Sequence, residues 1–214
     1  MKAKSFKYWI TQDLHEQFGI RRIYDLVLLS EWLSATNEIS KEEIEQLELL
    51  RIGLNKNAEF WNEEELKMKF IGPLIEFVKI DSDSFRTFYD RPIRITVNEI
   101  LLSGTLDMVI ATGFQVPKKP FFCVHEYKQE SKRDGDPKGQ LLAEMIALQA
   151  INLPDENPVY GCYVLDRNWF FVVLKGHEYA VSNALDASQE DVFIIFKMLK
   201  KVKEYIIEII KKDS

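Results

Sequence analysis

Three charged residues lie inside two stretches that otherwise have the pattern of buried β-strands. Asp107 interrupts the apolar stretch 104–110, and Glu126 and Lys128 end the stretch 121–128. An isolated ionised group inside a core costs several kcal/mol, so such charges need partners or a metal ion. Alternate side chains of a strand share a face, which puts Glu126 and Lys128 on the same side. If the two strands pair as a hairpin, both carboxylates and the ammonium converge at one place on a sheet.

A helix is predicted before these strands, over residues 62–79. Asn62 has the character of an N-cap, and the acids Glu63, Glu64 and Glu65 follow in the first turn. The apolar residues that follow recur at helical spacing, and Glu63 falls within their arc while Glu64 lies at its margin. Pro73 deletes a backbone hydrogen bond, so we expect the helix to be kinked or distorted there.

Another helix is predicted over residues 138–152, after a polar loop that follows Lys128. Gln140 and Glu144 share one face of this helix, while Leu141 and Met145 belong to another. Apolar residues on more than one face indicate a helix that is covered on both sides. Two apolar strands, 158–165 and 169–174, are predicted after it, joined by a short Asp-Arg-Asn turn.

This arrangement resembles the PD-(D/E)XK nuclease superfamily, notably relatives of the N-terminal nuclease domain of type I restriction enzyme R subunits. Asp107 matches the first acid of the motif, and Glu126-Tyr127-Lys128 matches the triplet. Leu106 stands where the superfamily name has proline. The resemblance covers about residues 58 to 212 and implies a restriction-endonuclease-like α/β fold, with a mixed central sheet flanked by helices.

The resemblance also implies a reaction, Mg²⁺- or Mn²⁺-dependent hydrolysis of phosphodiester bonds in nucleic acid, with DNA as the expected substrate. Hard cations of this kind prefer oxygen ligands. Asp107, Glu126 and the carbonyl of Tyr127 would hold the metal, and Glu63 would hold a second metal or its waters. Lys128 would orient the attacking water and stabilise charge on the phosphate. The catalytic set implied by the resemblance is Asp107, Glu126, Lys128, Glu63 and Gln140, the last positioning the phosphate or a metal-bound water.

Simpler interpretations stay open for each of these residues. Glu126 and Lys128 could form a structural ion pair, Gln140 could cap a buried helix end, and the acids at 63–65 could serve the helix dipole. The nuclease fold could also persist as an inactive module that binds nucleic acid or another protein. His125 points to the face opposite Glu126 and is predicted to be a packed or surface histidine rather than a metal ligand.

Charge and composition limit the kind of partner. The chain of 214 residues is 46% hydrophobic and has a net charge of −6, from 28 Lys and Arg against 34 Asp and Glu. Strong non-specific nucleic-acid binders usually carry a basic face, so this balance argues against wholesale electrostatic binding. A metal ion and local lysines could offset the unfavourable charge. A basic cluster is expected near the active edge from Lys118, Lys119, Lys132, Arg133 and Lys138.

Cysteine usage and hydropathy suggest a cytoplasmic protein without a membrane segment. Cys123 and Cys162 both fall inside predicted core strands and are expected to be buried free thiols. No run approaches the roughly 18 apolar residues that indicate a membrane helix, and the N-terminus lacks the pattern of a signal peptide.

The chain is predicted to divide into a helical N-terminal extension, residues 1–57, and a nuclease-like domain, residues 58–214. The extension contains an apolar helical stretch from Ile23 to Trp32 and a capping box at Ser40 that opens a helix to about Leu54. It is expected to pack on the core through Trp9, Phe18, Trp32 and Phe60, since about 57 residues make a marginal core alone.

Further strands are expected near 93–102 and 178–182, and a long helix is expected over 188–211 with Ser188 as its cap. The apolar residues of this helix recur at near-heptad spacing. Packing across the sheet explains that face, and a homodimer seam is the alternative.

Overall fold

The computed structural model describes residues 2–128, 135–153 and 157–212. Its helices are α1 Thr11–Phe18, α2 Val27–Leu33, α3 Lys41–Asn57, α4 Glu63–Leu66, α5 Gly72–Val78, α6 Pro137–Asn152 and α7 Asp191–Lys212, with a π-helical turn Lys67–Ile71 between α4 and α5 and 3-10 turns at Phe6–Tyr8 and Ala58–Phe60. Its strands are β1 Lys2–Ser5, β2 Arg21–Arg22, β3 Arg86–Val97, β4 Ile100–Thr112, β5 Lys118–Lys128, β6 Val159–Leu165, β7 Asn168–Lys175, β8 Glu178–Val181 and β9 Leu185–Asp186.

The predicted α/β class is confirmed, because the described strands form one mixed nine-stranded sheet flanked by helices. The order is β1-β4-β5-β6-β7-β8-β2, with β3 also paired to β4 and β9 to β7. Strands β4 and β5 form the predicted antiparallel hairpin, with Met108 opposite His125. Strand β6 lies parallel to β5, and α6 makes the crossover that a parallel pair requires.

Two apolar cores lie on opposite faces of the sheet. One contains α6 together with Phe6, Trp9 and Leu14 from the N-terminal segment. The other contains residues of α2, α3, α5 and α7, among them Trp32, Leu54 and Leu74. Because α6 packs on the sheet and under the N-terminal segment, it is buried on nearly every side, as predicted.

The first predicted strand is wrong in its bounds. The stretch 93–102 contains a turn at Asn98 and Glu99, whose positive φ values of 48° and 63° are those of a type I′ hairpin turn. Asn adopts this conformation readily, whereas Glu does not. The alternating pattern thus continues through two long paired strands, β3 and β4, rather than one.

The N-terminal segment contains the expected helices and also two strands that were not expected. Strand β1 pairs in parallel with β4, and β2 pairs in parallel with β8. Neither Lys2–Ser5 nor Arg21–Arg22 has an apolar alternation, so only pairing with a neighbouring strand makes them extended. The Ser40 capping box is confirmed. Of the aromatic residues expected to pack, Trp9, Phe18 and Trp32 are buried, but Phe60 is 73% exposed.

Direct bonds join the N-terminal segment to the rest of the chain. The Thr11 amide and hydroxyl both donate to Asp136, at 2.9 and 2.8 Å. Gly139, in the first turn of α6, lies so close to the Trp9 carbonyl that a Cβ atom would be 2.5 Å from it. The Trp32 indole donates to the Met198 carbonyl of α7 at 2.8 Å. The division of the chain at residue 57 stays a prediction.

Pro73 lies just after a break in helical geometry, as expected. The Gly72 amide donates to the Lys67 carbonyl five residues earlier, which is the bond of a π-helical turn. The apolar face of the whole segment still points inward, since Leu66, Phe70 and Leu74 are all buried. The helix predicted over 62–79 therefore exists with a widened turn in its middle.

The C-terminal helix begins later than predicted, at Asp191, and Ser188 is not its cap. The Ser188 hydroxyl donates instead to Asp186 at 2.7 Å, within the turn that precedes the helix. The near-heptad residues of α7 are buried in the chain's own core, namely Val192, Ile195, Leu199, Val202 and Ile206. Intramolecular packing thus accounts for the near-heptad pattern, and a homodimer stays untested. Within the described ranges, no helix combines the length and apolar content of a membrane span.

Candidate active site

Asp107 lies on β4 beside the end of β5, and both of its carboxylate oxygens have a partner. Oδ2 accepts a hydrogen bond from the Tyr127 amide at 2.9 Å. Oδ1 accepts one from the Lys67 ammonium at 3.1 Å. Since the N–H and C=O of one strand residue point to the same neighbouring strand, the Tyr127 carbonyl also faces β4. The structure thus brings Asp107 next to the triplet, as the sequence predicts.

Glu126 and Lys128 form an ion pair at the end of β5, with 2.6 Å between Oε1 and Nζ. The Glu126 side chain is only 1% exposed, and within the described part of the chain neither of its oxygens has an aligned hydrogen bond. Burial and the charge of Asp107 raise the pKa of Glu126 to about 8, although Lys128 acts in the opposite direction. Burial acts to lower the pKa of Lys128, but the Glu126 charge outweighs it and raises the value.

Glu63, in the first turn of α4, also belongs to this cluster. It is joined to Asp107 by Lys67, a residue that the sequence analysis missed. The Lys67 ammonium lies 2.9 Å from Glu63 Oε1 and so joins Glu63 to Asp107. Glu64, which lies at the margin of the apolar arc, has a side chain that is 77% exposed and lies 3.5 Å from the same ammonium. Burial acts to lower the pKa of Lys67, but Asp107 and Glu63 raise it above its ordinary value. A signal was available, because Lys67 follows Glu63 at the i,i+4 spacing of facing helical side chains.

Gln140 and Glu144 lie one turn apart on α6, and both are buried. The Gln140 amide donates to Glu144 Oε1 at 3.2 Å, while Oε2 has no hydrogen-bond partner among the described residues. Burial, followed by the charge of Glu126, raises the pKa of Glu144 well above its usual value. Glu144 is thus a further site residue. Sequence analysis put it on the face of Gln140 but gave it no role.

The residues on the other face of β5 belong to the core. His125 is fully buried, and its Nδ1 lies 3.0 Å from the Tyr127 hydroxyl. Burial lowers the pKa of His125 to about 3, so the ring is neutral. Cys123 and Cys162 are buried free thiols, as predicted. Burial raises the pKa of both thiols above its ordinary value.

Lys118 and Lys119, two members of the expected basic cluster, lie far from this site, while a role for Lys138 in the first turn of α6 stays a prediction. Lys118 and Lys119 begin β5, whereas the triplet ends it. Ten strand residues at about 3.3 Å each put them roughly 30 Å from Lys128. Lys132 and Arg133 lie outside the described residues. Among the described residues, the ammonium groups in contact with Asp107 and Glu126 are those of Lys67 and Lys128, both of which are partly buried.

The donor chemistry of the site fits a hard divalent cation. Asp107, Glu126, Glu63 and Glu144 supply carboxylate oxygens, the ligands that Mg²⁺ and Mn²⁺ prefer. Glu126 Oε2 and Glu144 Oε2 have no hydrogen-bond partner among the described residues, a buried polar deficit that a cation would relieve. However, in the described ranges no three His, Cys, Asp or Glu side chains form a ready-made metal-ligand group. The two lysines lie between the carboxylates.

A scan of the chain against protein-family models finds no match, and a search of curated proteins finds no significant relative. A functional assignment therefore depends on the geometry of the residues themselves.

Proposed function

We propose that this protein hydrolyses phosphodiester bonds of nucleic acid, with DNA as the substrate, at a divalent-metal site of the PD-(D/E)XK type. The supporting observation is the meeting of Asp107 on β4 with Glu126 and Lys128 on β5, where Glu126 is buried without an aligned hydrogen bond. Burying a carboxylate is costly, and buried groups with strongly perturbed pKa values cluster at functional sites.

Each residue of the site has a role in this proposal. Asp107, Glu126 and the Tyr127 carbonyl would hold the cation, which would be Mg²⁺ or Mn²⁺ and would supply an activated water and neutralise developing charge. Lys128, held beside Glu126, would orient the attacking water and stabilise the phosphate. Glu63 would hold a second ion or its waters. Gln140 donates to Glu144, so it would act by fixing that carboxylate, in addition to any contact with phosphate.

The net charge of −6 does not contradict this proposal, because the charge that matters for phosphate is local. Lys128 and Lys67 give the site two ammonium groups, and a bound divalent cation would add two further positive charges. Binding should therefore depend strongly on the metal as well as on the salt concentration.

The test is cleavage of plasmid, linear and single-stranded DNA by the purified protein with Mg²⁺ or Mn²⁺, and its arrest by chelator. Asp107→Ala and Lys128→Ala should each lower the rate by at least about 10²-fold, the scale of losing an electrostatic stabiliser or a general base. Lys69→Ala is the matched control, since Lys69 is an exposed lysine paired with Glu65. Cleavage that survives both site substitutions would come from a contaminant and would end the proposal.

A second candidate is a non-catalytic module of the same fold that binds nucleic acid or a protein. The observation in its favour is that lysines already neutralise the carboxylates, with Lys67 bonded to both Glu63 and Asp107. For this candidate, fluorescence anisotropy with labelled DNA should give the same affinity in chelator as in Mg²⁺, and Asp107→Ala should leave that affinity unchanged.

A further inference from the structure

The Lys67 ammonium holds a central position in the candidate site. It lies 2.9 Å from Glu63, 3.1 Å from Asp107 and 3.5 Å from Glu64. Its side chain is 19% exposed, so these contacts are only partly screened by water. Glu63 and Asp107 come from separate elements, and Lys67 is the cation that joins them.

We propose that the position between Glu63 and Asp107 is a cation site that the Lys67 ammonium occupies in the metal-free protein, and that a divalent ion must displace it. This inference rests on the proposed function, because it concerns the same carboxylates. An ammonium and a hydrated divalent ion both seek carboxylate oxygens, so they compete for one place.

The structure provides somewhere for the displaced ammonium to go. Glu64 is 77% exposed and already lies 3.5 Å from Lys67 on the solvent side. Lysine carries its charge on a flexible four-carbon stem, so a small rotation could transfer the ammonium towards Glu64 without moving the backbone. Lys67 also begins the π-helical turn, a feature that occurs frequently at functional sites.

A second observation indicates that the site still lacks positive charge when Lys67 is in place. Within the described residues, the two Glu126 oxygens have no aligned hydrogen bond, and Glu126 is 1% exposed. Lys67 joins Glu63 to Asp107, and the Tyr127 amide joins Asp107 to the residue next to Glu126. One ammonium between Glu63 and Asp107 and another beside Glu126 thus leave an excess of carboxylate.

The alternative is that Lys67 and Glu63 form an ordinary i,i+4 helical ion pair that has no part in metal binding. The same segment contains such a pair, Lys69 with Glu65 at 2.7 Å, with side chains 49% and 40% exposed. Lys69 is therefore a matched control for Lys67. The two lysines share a segment, a spacing and a partner type, but Lys67 is less exposed and also contacts Asp107 and Glu64.

The experiment is calorimetric titration of Mn²⁺ into the parent, Lys67→Met and Lys69→Met. Removing a competing charge should strengthen Mn²⁺ binding in Lys67→Met by at least about tenfold, and Lys69→Met should match the parent. Lys67→Arg should bind Mn²⁺ no more tightly than the parent, because a guanidinium stays charged and forms more bonds to carboxylates. That variant also carries the test if Lys67→Met fails to fold.

The outcomes separate this inference from the proposed function. If the parent binds Mn²⁺ and Lys67→Met binds it equally or more weakly, Lys67 is not a competitor and only the inference falls. Tighter binding by Lys67→Arg than by the parent would also overturn it. If neither the parent nor Lys67→Met binds Mn²⁺, the metal site itself is absent and the proposed function falls with it.

Discussion

The two faces of β5 place buried ionisable groups in different surroundings. His125 and Glu126 are adjacent in sequence, and both are almost inaccessible to solvent. His125 lies in an aromatic environment, beside Tyr127 and Trp169, and burial lowers its pKa to about 3. Glu126 lies among Asp107, Lys128 and Glu63, and burial, followed by the charge of Asp107, raises its pKa to about 8.

The difference distinguishes a group that is merely packed from one that is kept under electrostatic stress. A neutral imidazole with one hydrogen bond is compatible with an apolar core. A carboxylate whose neighbours include two further acids is destabilising unless a cation or a proton neutralises it. The face of Glu126 is thus where function is expected, and the face of His125 is where structure is expected.

The largest expected effect is on activity. It should depend on which face of β5 carries the substituted residue rather than on how deeply that residue is buried. Glu126→Gln should remove at least about 10²-fold in cleavage rate and abolish Mn²⁺ binding, because an amide is a far poorer ligand for a hard cation. His125→Phe, on the opposite face, should keep both. Cleavage assays and calorimetry check this. An unchanged Mn²⁺ isotherm in Glu126→Gln would show that the metal binds at a different site.

The next effect is on stability at high pH. The pKa of Glu126 is raised in the folded protein, so its contribution is fully present below the unfolded-state pKa and is lost as pH rises towards about 8. In chelator, raising the pH from about 5 to 8 should lower the free energy of unfolding by an amount on the order of 4 kcal/mol. Urea denaturation at both pH values checks it, and Glu126→Gln should lose much of this dependence.

His125 should give a smaller effect of opposite sign. Its pKa is lowered in the folded protein, so its contribution is present above the unfolded-state pKa and is lost as pH falls towards about 3. Between about pH 7 and 5 the parent should lose about 2 kcal/mol that His125→Phe does not lose. Equal slopes for the two proteins would show that the ring is not held neutral by the core.

The smallest expected effect separates a metal site from a structural ion-pair network. Asp107→Asn keeps an acceptor for the Tyr127 amide and relieves repulsion with Glu126, while it weakens the bond to Lys67. In chelator its free energy of unfolding should stay within about 1 kcal/mol of the parent's, and stabilisation by added Mg²⁺ should disappear. A loss of about 3–5 kcal/mol would indicate that Asp107 exists to neutralise a buried ammonium. The inactive module would then be the better interpretation.

Much of the fold could be predicted because local pattern and local geometry coincide. The alternation in β4 and β5, the acids after Asn62 and the position of Pro73 each gave the correct element. The incorrect predictions concern segments whose conformation depends on pairing with another part of the chain. Strand β1 is extended because β4 pairs with it, and the turn at Asn98 and Glu99 divides what had the pattern of a single strand.

The candidate site divides in the same way. Asp107, Glu126 and Lys128 could be found from the sequence, because charges in a strand-like pattern are conspicuous and side-chain alternation fixes their faces. Lys67 and Glu144 could not be selected as site residues from the sequence, because each lies in a helix, where polar residues are common. Only the packing of α4 and α6 against the sheet brings them to Asp107 and Glu126.

By itself the sequence determined the α/β class, the hairpin that carries the three charges and the chemistry of their side chains. These depend on backbone periodicity and residue type, which are local properties. The tertiary structure decided which cations meet which carboxylates and that Glu126 is buried without an aligned hydrogen bond. It also placed Lys118 and Lys119 far from the site. Distances between separate elements depend on register and packing, and the pattern of a single segment does not contain them.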